Sequence, residues 1–150
     1  HLARQQAIRE RLRFYPNTSW YELGEELRYV EGTYRNGRRH YQISAVLSSS
    51  YTQRVLQTAV SGKSLKELAQ VITNEEVSYE EAFLFVCEMA DSQLLTDELE
   101  PAITGPEFIR QILTTLNRIN YDCEHIITGW INTLEALDKA LQKLDEQGLN

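Results

Sequence analysis

The sequence predicts an α+β chain: a winged helix-turn-helix, in which a three-stranded antiparallel sheet is followed by three helices, with a C-terminal helical hairpin. Three observations predict it. Residues 19–46 alternate apolar and polar side chains around an Asn36-Gly37 pair. Two capping-box patterns, Ser64-Leu65-Lys66-Glu67 and Ser78-Tyr79-Glu80-Glu81, open helices in succession. Beyond residue 105 apolar residues recur every three or four positions. The expected divisions are a helical lead-in at 1–18, the winged unit at 19–104 and the hairpin at 105–150, and the chain reads as part of a longer polypeptide.

Residues 19–23 alternate and stop at the turn Gly24-Glu25-Glu26. Residues 27–34 resume strand character, with Leu27, Tyr29 and Glu31 on one face and Arg28, Val30 and Gly32 on the other. Asn-Gly tolerates positive φ at both positions of a tight turn, so residues 39–46 run back as a third strand. Its apolar face, Tyr41, Ile43 and Ala45, is expected to be buried against helices. The three helices are expected at 49–61, 64–73 and 78–95. Tyr51, Val55, Leu56 and Ala59 give the first its apolar side; Leu65, Leu68, Ala69 and Ile72 give the second. In the hairpin, Gly105-Pro106 starts a helix carrying Phe108, Ile109, Ile112, Leu113 and Leu116. A loop at 117–122 follows. Ile127, Trp130, Leu134, Leu137, Leu141 and Leu144 then form a seam for a helical partner.

The third helix argues against DNA. A DNA-reading helix brings basic side chains to the phosphates. This one brings Glu80, Glu81, Glu88 and Asp91, and the stretch from 67 to 109 holds no lysine, arginine or histidine. On a helical wheel Tyr79, Ala82, Phe83, Val86, Met89, Ala90, Gln93 and Leu94 centre opposite those acids and Ser92, with Phe85 and Cys87 on the flanks and Leu84 amid the acids. So wide an apolar arc serves either further packing or a groove wall for an apolar peptide.

Charge is uneven: +3 over residues 1–39, −7 over 40–100 and −3 over 101–150. The acidic middle is incompatible with non-specific polyanion binding. Arg4, Arg9, Arg11 and Arg13 form a basic strip that is either solvated or in contact with RNA. Cys87 and Cys123 lack a C-x-x-C partner and read as free thiols of a reducing cytoplasm. His1, His40 and His125 show no metal-ligand spacing to them. No apolar run is long enough for a membrane span. Glu98 and Glu100 read as a solvated strand edge, and His40 as a surface strand residue. No nucleophile–histidine–acid pattern and no phosphate-cradling glycine loop is present, so no catalytic residue and no cofactor are assigned.

Tyr21-Glu22-Leu23-Gly24, then Leu27-Arg28-Tyr29-Val30-Glu31, then Arg38-Arg39-His40-Tyr41-Gln42-Ile43-Ser44 resemble a segment of the class I lantibiotic (lanthipeptide) dehydratases. Asp91-Ser92-Gln93-Leu94-Leu95, running into Glu98-Leu99-Glu100-Pro101 and Thr104-Gly105, is the most specific part of the match, which covers residues 15–120 in order. The resemblance implies a long cytoplasmic enzyme that modifies a ribosomally made precursor peptide. Such enzymes transfer glutamate from glutamyl-tRNA, the implied co-substrate, to Ser and Thr hydroxyls and then eliminate it. It also implies a dimeric parent, and a winged helix-turn-helix in the glutamylation region, here residues 19–95, that binds the precursor's leader. The leader adds as a strand beside the third strand and packs on the third helix. The family's catalytic motifs are not found here, and none of their residues is carried over.

Candidate peptide-binding residues, chosen by geometry on those two elements, are Arg39, Tyr41, Ile43, Ala45, Phe83, Val86, Cys87 and Ala90. The third strand is expected to be an open edge that offers N–H and C=O groups to an extended peptide. The implied partners are the leader peptide, the remainder of the dehydratase and, for the parent, tRNA. The rival readings are a winged-helix DNA-binding regulator and a purely structural subdomain.

Overall fold

The computed structural model describes residues 6–100, 108–120 and 124–147. Its elements run α1 (Gln6–Arg9), β1 (Phe14–Pro16), β2 (Tyr21–Leu23), β3 (Glu26–Arg35), β4 (Arg38–Leu47), α2 (Ser50–Ala59), α3 (Leu65–Ile72), α4 (Tyr79–Asp91), β5 (Leu95–Asp97), α5 (Phe108–Ile119) and α6 (Glu124–Gln147). They fall into two compact units, Leu12–Asp97 and His1–Arg11 with Glu98–Asn150. These limits differ from the expected 18/19 and 104/105 because β1 and β5 pair with each other. The lead-in is thus a helical turn followed by a strand. His1, Arg4, Cys123 and the Gly105-Pro106 start lie outside the described residues.

The sheet of the Leu12–Asp97 unit has the order β2-β3-β4, antiparallel throughout, as the alternation predicts. Asn36 and Gly37 carry φ of 52° and 74°, the paired positive values that a two-residue hairpin turn needs. Which face is buried departs from expectation. Leu27 and Tyr29 are 0% and 1% exposed, whereas Tyr41 and Ile43 are 65% and 68% exposed, and Ala45 is exposed with them. The register explains the reversal. Leu27 sits opposite Val46 and Tyr29 opposite Ser44, so the more polar set of β4 shares the inner face. Its polarity is satisfied there: Ser44 Oγ and Gln42 Nε2 donate to Glu31 Oε2 at 2.8 and 3.1 Å. Leu27 and Tyr29 take the core, and β4 follows its neighbour through the register.

The helices form for local reasons. Ser49 caps α2, accepting from Thr52 N at 3.0 Å. Full capping boxes open α3 and α4: Ser64 Oγ accepts from Glu67 N and Ser78 Oγ from Glu81 N, while both glutamates accept from the serine N–H in return. Val55, Leu56, Leu65, Leu68, Ile72, Ala82, Val86 and Met89 fill the core with Leu27 and Tyr29. Ser64→Ala and Ser78→Ala are each expected to lower stability by about 1 kcal/mol in urea denaturation. Backbone and hydroxyl donation from Ser64 holds the Glu67 carboxyl below its ordinary range, and donation from the Ser78 hydroxyl and N–H does the same for Glu81. Lowered values mean stability that is present above the unfolded glutamate range, near about 4.3, and lost as pH falls through the folded values. Glu67→Gln/Glu81→Gln should therefore flatten the fall of stability between about pH 5 and about pH 2. An acid limb as steep as the wild type's would refute this.

Between α2 and α3, Gly62 (φ 71°) lies close to Tyr15, where an added Cβ would come 2.5 Å from the phenolic oxygen. Helix α4 stops at Asp91, short of the expected 95. Ser92 caps it, and Gln93 adopts a left-handed φ of 61° that turns the chain into β5. Leu94 and Leu95 are buried. In the second unit, α5 and α6 pack together. An ion pair from Arg110 to Asp138 at 3.8 Å places the start of α5 beside the middle of α6, as an antiparallel hairpin requires. Ile127 of the expected seam is buried, while Trp130, Leu137, Leu141 and Leu144 are exposed. Among the described residues no helix is long and apolar enough to cross a membrane.

Candidate functional site

The two long edges of the β3–β4 hairpin are treated differently. Beyond the end of β2, the outer groups of β3 are taken by side chains. Val30 N donates to Ser19 Oγ at 2.9 Å, and Asn17 Nδ2 donates to Val30 O at 3.0 Å. Gly32 N donates to Gln93 Oε1 and accepts through its carbonyl from Gln93 Nε2, both at 2.8 Å. Gln93 thereby occupies the place of a further strand residue. Asn17 also donates to Gln93 O at 2.9 Å, and its Oδ1 accepts from Ser19 N and Oγ. This edge is sealed.

The opposite edge is open. Because Val30 and Gly32 direct their backbone groups away from β4, their partners Ile43 and Tyr41 are the non-hydrogen-bonded members of the ladder. Their N–H and C=O groups, with those of Ala45, therefore point outward. Among the described residues no strand pairs with this side of β4. The same three residues project their side chains onto the outer face, joined there by the exposed Tyr21, Leu23, Val30 and Leu47.

Arg39 belongs to this surface. Its guanidinium carbon lies 5.3 Å from the centre of the Tyr41 ring, a distance suited to cation–π attraction. A Cβ at Gly32 would stand 3.0 Å from Arg39 Nε. The missing side chain of Gly32 is what leaves room for Arg39 across the sheet. Arg39, Tyr41, Ile43 and Ala45 are thus brought together.

The helix candidates are a separate group. Phe83, Cys87 and Ala90 are half-buried at helical spacing on one flank of α4. Phe83 stacks on Tyr79 with ring centres 6.1 Å apart. Val86, at 0% exposure, is enclosed in the core and presents nothing to a surface ligand. Among the described residues Cys87 is in no disulfide. Helix α4 belongs to the layer that shares its core with the inner face, whereas the β4 trio lies on the outer face. A strand added beside β4 would send alternate side chains to these two sides. The acidic face stands as expected, with Glu80, Glu81, Glu88 and Asp91 exposed. Asn17 and Gln93 escaped the sequence reading as site-forming residues. The turn composition Pro16-Asn17-Thr18-Ser19 was the signal for the first, and its place in the resemblance motif for the second.

The comparisons agree with this architecture. The family model described as "Lantibiotic dehydratase, N terminus" matches residues 1–150. No curated protein sequence matches. Among solved structures, the tRNA-dependent lantibiotic dehydratase MibB from Microbispora sp. 107891 shares the fold, with a TM-score of 0.63 at 15% identity. The match covers 97% of this chain and 14% of that one. The family match over the full chain is decisive: the chain belongs to the N-terminal region of the lantibiotic dehydratases.

Proposed function

We propose that the Leu12–Asp97 unit captures the leader segment of a precursor peptide, as an added strand on β4, for a lantibiotic dehydratase. The observation that carries this reading is the open β4 edge, whose outward backbone groups and exposed apolar side chains belong to the same residues, Tyr41, Ile43 and Ala45. Main-chain bonds supply affinity and alternate side chains supply selectivity. The half-buried flank of α4 at Phe83, Cys87 and Ala90 receives the inward set. The acidic face of α4 disfavours a phosphate backbone as the ligand. In this reading the parent is a cytoplasmic, homodimeric enzyme that dehydrates Ser and Thr with glutamyl-tRNA as co-substrate. This segment contributes recognition rather than catalysis.

Titrating the chain with the leader of a cognate precursor, followed by amide NMR, tests the proposal. The expected result is binding with the largest shifts at Tyr41, Ile43 and Ala45. A folded chain that ignores the leader at about 500 μM, roughly −4.5 kcal/mol of binding free energy, would favour the purely structural reading. Retention on DNA at physiological salt would favour the regulator.

A further inference from the structure

We propose that the open edge of β4 is also a self-association surface, on which a second copy of this chain adds antiparallel across a two-fold axis at Ile43. The pairing rests on the geometry of the edge and not on the leader reading. Where both hold, leader and second copy compete for the same groups.

Parity selects the register. Only Arg39, Tyr41, Ile43, Ala45 and Leu47 share the outward phase of the strand, so a two-fold partner must set odd residues against odd ones. Centring on Ile43 pairs that residue with its own copy, Tyr41 with Ala45 and Arg39 with Leu47. This register uses nearly the full length of β4. Between Tyr41 and Leu47 the strand carries no charge and no proline, the features that ordinarily blunt an exposed edge. The outer faces then run together, Ile43 against Ile43 and Tyr41 beside Ala45.

Charge also favours the antiparallel arrangement. Arg38 and Arg39 stand at one end of β4. At the other, Leu47 lies opposite Glu26, which is paired with Arg28 at 2.9 Å, and Ser48 N donates to Glu25 O, so the β2–β3 turn with Glu22 and Glu25 gives that end its net negative charge. An antiparallel copy sets each basic end toward the other's acidic end, and a parallel copy would set like against like. The interface is isologous and closes after two copies.

Sedimentation of the 150-residue chain without peptide tests this. The mean mass should rise toward twice the monomer value between about 10 μM and about 1 mM, as a small interface implies. Ile43→Lys and Ile43→Glu, at an exposed position, should each raise the concentration needed at least about tenfold by facing like charges across the axis. An equimolar mixture of the two variants should dimerise again. A chain that stays monomeric to about 1 mM overturns the proposal. So does a dimer indifferent to both variants, as one held by the exposed Leu137 and Leu141 of α6 would be, or a mixture that stays monomeric. Leader binding by a monomer, or a dimer that ignores leader, separates this proposal from the preceding one.

Discussion

Asn17→Asp is expected to destabilise the Leu12–Asp97 unit by about 3–5 kcal/mol at neutral pH, enough to unfold a domain of ordinary stability. Asn17 is 7% exposed and uses both ends of its amide. Nδ2 donates to the carbonyls of Val30 and Gln93 at 3.0 and 2.9 Å, and Oδ1 accepts from Ser19 N and Oγ at 2.9 and 2.6 Å. Its own N–H donates to Leu94 O at 2.9 Å. An aspartate has nearly the same shape but replaces the donor with an anionic oxygen facing two carbonyls. Both carbonyls lose their partner, at about 1–3 kcal/mol each, and the charge has no counter-ion among the groups it touches. Asn17→Ala removes the same bonds without adding charge and should cost less, about 2–4 kcal/mol.

The pH dependence separates the two variants. In Asn17→Asp the folded state raises the carboxyl's pKa above its unfolded value, so the folded state binds a proton that the unfolded chain releases. Its stability should therefore recover as pH falls from about 7 toward about 4, where the protonated acid donates one hydrogen bond. Asn17→Ala should show no such recovery. Urea denaturation at the two pH values measures both. An Asn17→Asp protein within about 0.5 kcal/mol of wild type would show that the network does not hold the β3 edge.

Asn17 also marks where sequence reading stops. The local turn signals its bonds to Ser19, but the carbonyls that its Nδ2 reaches lie 13 and 76 residues away, and nothing local announces those. The strands β1 and β5 were missed for the same reason: each has three residues, and among the described residues each pairs with the other, far away in the chain. What was legible is what is decided locally. The Ser-x-x-Glu boxes specify the starts of α3 and α4 through bonds spanning three residues. Asn36-Gly37 specifies its turn through allowed φ. The order β2-β3-β4 follows from short connections, and with it the open edge of β4. The buried face of β4 was not legible from β4 alone, because a strand's facing is settled by register with its neighbour. Read in isolation, Tyr41, Ile43 and Ala45 form the better apolar stripe; beside β3, with Leu27 and Tyr29 claiming the core, they go outward. The Asp91–Leu95 motif that carried the resemblance gains a physical meaning in the same way. Ser92 ends a helix, Gln93 seals the far edge of β3, and Leu94 and Leu95 are buried, so the motif maintains the sheet whose opposite edge is the candidate site.

Proline substitution at adjacent positions of β4 should give opposite outcomes. Ile43→Pro removes an N–H that points outward and leaves the β3–β4 ladder intact, a position where edge strands tolerate proline. The variant should remain folded. Measured below the self-association range, its affinity for leader should fall at least about tenfold, through the lost donor and the ring set against the incoming strand. Gln42→Pro removes an N–H that points to β3, because Gln42 pairs with Glu31 in the hydrogen-bonded phase of the ladder. It should cost about 3 kcal/mol of stability and disrupt the hairpin. Calorimetric titration and urea denaturation of both proteins read the pair. Full leader affinity in a folded Ile43→Pro protein would place the peptide elsewhere, and a Gln42→Pro protein as stable as wild type would reverse the phase of the ladder. The contrast is informative because both changes introduce the same ring and delete one N–H, one residue apart, and the exposed side-chain bond from Gln42 to Glu31 is too weak to account for the expected loss. The direction of the missing N–H distinguishes an edge that binds from a ladder that folds.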